Sequence, residues 1–191
     1  MHGHKIVNQD GLHFLTFTVV GWIDVFTRMK YKDIIIHDLE YCIKNKGLIL
    51  CAYVIMSNHV HIIGRADDGY NLSDIIRDFK SHSSKTILNS ILTSPNESRQ
   101  EWMLKLFKYY AKYNSNNKTY QFWKRDNKPI ELVSPKWIDQ KINYIHNNPI
   151  NAGLVENSWE YRYSSAANNV EKEGLLNISL IDLGFDIGYV N

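Results

Sequence analysis

The stretch that decides the fold is LILCAYVIMSNHVHIIGR, residues 48–65. Leu48 through Met56 is an unbroken apolar run preceded by Gly47 and followed by Ser57-Asn58, which reads as a buried strand and a turn. HVHIIGR (59–65) is then its hairpin partner. In a strand, residues i and i+2 share a face, so His59 and His61 point together, their Cα atoms about 6.5–7 Å apart, while Val60 points the other way. An unpartnered polar group in an apolar setting costs about 1–3 kcal/mol, so both imidazoles need partners. A shared divalent ion and hydrogen bonds alone both satisfy that need, and the spacing leaves the two open. His2 and His4 repeat the spacing at a chain end beside Gly3, where fraying is expected, and are set aside.

Working outward, HFLTFTVVGW (13–22) is β-branched and aromatic and predicts a strand. Ile35, Leu39, Cys42 and Ile43 recur at helical spacing, and Gly47 follows as a C-terminal stop, so 31–47 predicts a helix. Residues 71–92 predict a second helix, with Ser81 to Ser84 as the place for a kink, and 98–113 a third, ended by the Asn/Ser cluster at 114–117. TYQFWKRDNKPIELV (119–133) suggests two short strands around Asn127-Lys128-Pro129. Ser134-Pro135 opens a fourth helix, serine at the N-cap and proline at the first helical position. Residues 149–191 read as less regular, with turns near Gly153, Gly174 and Gly184. Strand, helix, strand, strand, helix is the order of an α+β fold: a ferredoxin-like split βαβ core, an antiparallel sheet with helices on one face. One domain over 1–165 is expected, with 166–191 as a C-terminal extension of unassigned role.

The net charge of +2 hides a local surplus. Between Glu97 and Lys128 eight Lys/Arg face three Asp/Glu, a surplus of five, interleaved with Trp102, Tyr109, Tyr110, Tyr113, Tyr120, Phe122 and Trp123. Cations for phosphates with aromatics for bases is the composition of a single-stranded nucleic-acid surface. A solvated helix whose aromatics belong to the core fits the same residues. Cys42 and Cys51 make neither a CxxC pair nor a disulfide framework, which points to a reducing compartment. No run reaches the roughly 20 apolar residues of a membrane span, and the first residues lack a signal-peptide core. A cytoplasmic protein is expected.

On the fourth helix, Ile138, Ile142 and Ile145 form a core stripe. Trp137, Lys141, Tyr144 and Asn148 form a second stripe beside it: an aromatic, a cation, a phenol and an amide. If that stripe faces the histidine strand, the Asn148 amide oxygen is available as a third ligand, with the Tyr144 hydroxyl one turn away. A phenol beside a metal-held phosphate suits attack on phosphorus. A tyrosine packed at the edge of an amphipathic helix is the plainer reading, since the chain has twelve tyrosines. Because Asn148 precedes Pro149, its helical geometry is expected to be distorted.

SNHVHII (57–63) resembles the His-hydrophobic-His signature of HUH nucleases, and NYIHNNPINAGLV (143–155) resembles the tyrosine-helix motif of single-tyrosine HUH transposases. The match is nearest to the REP-associated tyrosine transposase branch of these insertion-sequence enzymes. The resemblance runs from the strand at 13 to Ser165, with two motifs about 80 residues apart in the expected order. It implies a ferredoxin-like core that nicks single-stranded DNA beside a hairpin, joins the tyrosine to a 5′ phosphate, frees a 3′ hydroxyl and can reseal strands. By position it implies His59 and His61 as ligands of a divalent ion, Mg²⁺ or Mn²⁺, with Asn148 as the third, and Tyr144 as nucleophile. DNA contacts are expected from Lys141, Lys124, Arg125, Trp123, Lys80 and Lys112, and the branch implies a monomer, a dimer with swapped tyrosine helices being the alternative. Two other functions compete: an inactive module that only binds hairpin nucleic acid, and a zinc hydrolase completed by Asp67 or Asp68, which would have no use for Tyr144.

Overall fold

The computed structural model describes residues 5–113, 119–170 and 172–181; His2, His4, Lys118, the Asn/Ser cluster at 114–117 and the turn at Gly184 lie outside them. Strand β1 (His13–Thr18) and helix α1 (Met29–Asn45) lead to β2 (Leu48–Ile55) and β3 (His59–Ala66). Helices α2 (Leu72–Thr93) and α3 (Gln100–Ala111) follow, then the short strand β4 (Ile130–Glu131) and α4 (Pro135–Asn151). The sheet is antiparallel at each pairing, in the order β2-β3-β1-β4, which is the ferredoxin-like arrangement.

Strand parity divides the layers. Phe17 packs against Phe79 of α2, 5.2 Å between ring centroids, whereas Phe14, three residues away and so on the opposite face, meets Tyr144 of α4 at 5.9 Å. Helices α1 and α2 therefore share one face, and the tyrosine-bearing α4 lies across the other. The core is continuous through Leu15, Phe17, Ile35, Leu39, Val60, Ile62 and Phe79.

Four local expectations change. The first strand ends at Thr18, because Gly21 and Trp22 take left-handed φ values of 62° and 56°, which a strand does not admit. Helix α2 runs without a break through Ser81–Ser84: Ser84 Oγ donates to the Ser81 carbonyl, and buried Ser83 Oγ accepts from Trp123 Nε1 at 3.0 Å. The serine hydroxyls are satisfied in place and release no backbone bond. Of the two strands expected in 119–133 only β4 forms. The rest follows β1 irregularly, through Lys124 N to the Thr18 carbonyl, Val20 N to the Phe122 carbonyl and Thr16 N to the Asn127 carbonyl, before Lys128 (φ 44°) and Pro129 turn it. Lastly, α4 continues through buried Pro149 to Asn151. Asn148 keeps its one-turn relation to Tyr144, its Nδ2 donating to the Tyr144 carbonyl at 2.7 Å.

Beyond α4 the chain passes a 3-10 turn (Ser158–Glu160) and returns along β2. Ile55 N donates to the Tyr163 carbonyl, Tyr53 N to Ser165 Oγ, and Ser179 N to the Leu50 carbonyl. His146 on α4 closes this contact, Nε2 lying 2.9 Å from Ser165 Oγ.

Candidate active site

His59 and His61 lie on the α4 face of β3, opposite Thr18 and Thr16 of β1 in the register. Their ring centroids are 4.8 Å apart and set at 70°, and the Tyr144 ring stands 5.3 Å from that of His61. Phe14 stacks on His61 at 5.1 Å. Lys141, one turn before Tyr144, holds its Nζ 4.9 Å from the Phe14 ring centroid and 5.4 Å from that of Tyr144. These side chains, with Asn148 and Lys124, line a cleft of about 530 Å³ between the sheet and α4. Tyr144 keeps 46% of its surface exposed, so its hydroxyl-bearing ring is accessible from the cleft.

Burial depresses both imidazoles. His59 falls below its ordinary pKa, and His61 falls to about 3, first through burial and then through neighbouring His59 and Lys141. Near neutral pH both rings are uncharged and keep a lone pair. Asn58 Nδ2 donates to Asp24 Oδ1 at 2.9 Å, so the oxygen of that amide faces His59 Nδ1, 2.8 Å away. An amide oxygen only accepts; His59 therefore carries its proton on Nδ1 and its lone pair on Nε2. For His61, Nδ1 lies 2.9 Å from Thr16 Oγ1, again leaving Nε2. Engaging the far nitrogen of an imidazole is how histidine ligands are oriented around metals. The Asn148 amide is fixed in the same way: Nδ2 donates to the Tyr144 carbonyl, so Oδ1 is left available. Two neutral nitrogens with an amide oxygen suit a catalytic divalent ion that takes its remaining ligands from water and phosphate. Among the described residues no group of three or more His, Cys, Asp or Glu is disposed to hold a metal, so the Asp67/Asp68 hydrolase reading has no support.

The basic residues separate into distinct roles. Lys141, Lys124 and Lys128 line the cleft. Arg125 is exposed on an adjoining groove between α2 and the 120–127 loop, which Lys124 also lines. Lys112 ends α3, on a separate face with Lys105, Lys108 and Tyr109. Two further expected DNA contacts border the groove that Arg125 lines but are engaged by the scaffold. Trp123 is 5% exposed and packs on Phe17, Phe26 and Phe122, so its ring offers no stacking surface. Lys80 donates to the Lys124 carbonyl at 2.8 Å and to Asn127 Oδ1 at 2.6 Å, and burial brings its pKa down to about 8; it ties the 124–127 loop to α2. Arg99, counted in the basic run, is likewise pinned to buried Glu97 and to the Asp24 carbonyl. Trp137 does not line the cleft.

Sequence reasoning missed three residues here: Thr16, Asn58 and Trp22. Asn58 adjoins the histidine motif, but in sequence its place between two strands signals only a turn. Thr16 could be found only from the β1–β3 register, which sequence does not give.

A family model described as "Transposase IS200 like" matches residues 23–125, a span that holds both histidines and ends before α4. In overall fold the chain is similar to the structure of a REP-associated tyrosine transposase bound to a REP hairpin, with a TM-score of 0.64 at 14% identity over 100% of this chain and 98% of that one. No match to a curated protein was found. The 103 residues from 23 to 125 are more than half of the 191, and the chain belongs to the IS200-like transposase family.

Proposed function

We propose that the chain is a metal-dependent single-stranded DNA transesterase that nicks and rejoins DNA near hairpins through a 5′-phosphotyrosine. The observation that carries this reading is the meeting of Tyr144 with His59 and His61 in one cleft, with ring centroids 4.8 and 5.3 Å apart along the series. The family and the hairpin-bound structural relative support DNA as the partner.

In this reading His59 Nε2, His61 Nε2 and Asn148 Oδ1 hold a divalent ion, Mg²⁺ or Mn²⁺. When bound, it would polarise a phosphoryl oxygen and offset the negative charge on the non-bridging oxygens. Lys141 and Lys124 bring phosphates into the cleft, and Lys141 stabilises negative charge on the phenol oxygen as its proton departs. The Tyr144 oxygen attacks phosphorus; the new bond joins it to the 5′ phosphate as the bond to the 3′ oxygen breaks. That oxygen takes a proton from water, which receives the one released by the phenol, and leaves as a 3′ hydroxyl. The reverse step, with a 3′ hydroxyl attacking phosphotyrosine, reseals a strand. His59, His61, Tyr144 and Asn148 come from one chain, which favours a monomer as the working unit.

The test incubates the protein with 5′- or 3′-labelled single-stranded hairpin DNA and Mg²⁺ or Mn²⁺ and resolves covalent adducts on a denaturing gel. An adduct with wild type and none with Tyr144→Phe, at hairpin affinity within a few-fold, is expected. Binding without any adduct would instead make the chain an inactive hairpin-binding module, and an adduct that persists in the Phe variant would move the nucleophile elsewhere.

A further inference from the structure

Trp22 sits at the mouth of this cleft in a conformation that packing does not explain. Its φ is 56°, in the left-handed region that is unfavourable for a bulky L-residue, and it directly follows Gly21 at φ 62°. Gly21 is required there: a Cβ would stand 2.7 Å from the Tyr110 ring of α3. The turn is tied down on every side. Trp22 N donates to the Val19 carbonyl at 3.2 Å and Ile23 N to the Val20 carbonyl at 3.3 Å, while the Trp22 carbonyl accepts from Asn58 Nδ2 at 3.4 Å. Core burial does not offset the unfavourable backbone, because the indole is 57% exposed. Sparsely populated backbone held in place by its surroundings concentrates at functional sites.

What the turn achieves is placement. The indole lines the same cleft as His59, whose ring lies 6.2 Å away at 80°. Asn58, which holds the Trp22 carbonyl, is also the residue that fixes the His59 tautomer. One amide thus touches both the backbone that carries the indole and the imidazole itself. Lys124 places its Nζ 4.1 Å from the indole centroid, so a cation for phosphate and an aromatic for a base stand side by side.

We propose that Trp22 is the stacking platform of the cleft, its indole receiving an unpaired nucleobase of single-stranded DNA beside the phosphate presented to Tyr144. Lys124, now over the ring, turns to the adjoining phosphate when the base arrives. Stacking is tolerant of base identity because every base has a π face, so Trp22 selects for an unstacked base rather than for a sequence. The proposal rests on the cleft being the DNA site, and its test separates the two.

In a Tyr144→Phe background, fluorescence anisotropy compares a labelled dT 12-mer with an abasic chain of the same length and charge. The parent is expected to prefer the dT probe by about tenfold, the scale of one base–aromatic stack. Trp22→Ala and Trp22→Gly lose most of that preference, Trp22→Phe keeps it, and the salt dependence is the same throughout because phosphate contacts are untouched. Trp22→Gly also relieves the left-handed φ, so it melts no lower than the parent, and its lost preference cannot be ascribed to unfolding. A parent that binds neither probe overturns the cleft as the DNA site. A parent without base preference, or glycine and alanine variants that retain it, overturns the role of Trp22 alone.

Discussion

Thr16 Oγ1 lies 2.9 Å from His61 Nδ1, across the β1–β3 ladder and directly opposite in register. The hydroxyl is the polar partner of a ring that is otherwise enclosed by Phe14 and Tyr144. Thr16→Val keeps the shape and removes that bond. Loss of such an orienting partner typically weakens metal binding or activity about 10–100-fold. Titrating adduct formation with Mn²⁺ should therefore show a midpoint raised by about that factor, with melting nearly unchanged. An unaltered midpoint would mean that His61 is held by its aromatic neighbours alone.

Lys80 and Arg125 should separate stability from DNA affinity. Lys80→Met removes the bonds to the Lys124 carbonyl and Asn127 Oδ1 and leaves those acceptors short of a donor, at a cost of about 1–3 kcal/mol in urea unfolding. Arg125→Glu, on an exposed side chain, should leave unfolding within about 0.5 kcal/mol. If Arg125 meets a phosphate, it should lower the log–log salt slope of single-strand binding by about 0.7. The reverse pattern would return Lys80 to the DNA surface.

Glu97 is the buried anchor of the segment behind the site. Its carboxylate takes Arg28 Nε at 2.9 Å, Arg99 Nε at 3.1 Å and the Tyr31 hydroxyl at 2.9 Å. Burial acts to raise its pKa, but the hydrogen bonds from Arg99 and Tyr31 prevail and hold it below the ordinary 4.5. That stabilisation is complete above about pH 4.5 and is lost as pH falls through the folded value. Glu97→Gln should cost about 3 kcal/mol at pH 7, the scale for stripping the charge from a buried pair, and less in acid, below the folded value. Equal costs at pH 7 and in acid would show that shape and not charge matters there.

His146 behaves oppositely to a salt-bridged histidine. Burial takes its pKa from 6.5 down to about 4. Between those values the unfolded chain binds more protons than the folded one, so stability falls as pH drops from 6.5 toward 4, by about 1.4 kcal/mol per unit for one such ring. His61, also depressed, adds to the slope. Denaturant midpoints over pH 4.5–7 should fall less steeply in His146→Gln than in wild type, whatever its absolute stability. An identical slope would assign the acid sensitivity to His59 and His61.

The hairpin of β2 and β3, the antiparallel α+β architecture and the shared face of the two histidines were legible because period-two and period-3.6 patterns record which face is buried. The neighbours of those residues were not. Trp123 and Trp22 look alike on paper, each an aromatic beside a basic or apolar run. Which one is buried depends on Phe17, Phe26 and Phe122 closing over Trp123, a tertiary fact. Lys80 reads as one more cation until the 124–127 loop comes to rest on it. The distortion expected at Asn148 failed to appear because the rule for residues before proline states a local preference, and a buried Pro149 in the last turn of a packed helix outweighs it.

The return of the chain along β2 has a consequence for solubility. β2 borders the sheet, and a bare border strand presents a row of unpaired amides and carbonyls to any other strand in solution. Here Tyr163 and Ser165 take up Ile55 N and Tyr53 N, and Ser179 caps the Leu50 carbonyl, so that row is already engaged. A chain cut before Tyr161 would keep the histidine hairpin and α4 yet expose an apolar strand edge, and self-association through β2 should follow. The segment after α4 thus acts as an edge guard, keeping the sheet from extending into that of another molecule.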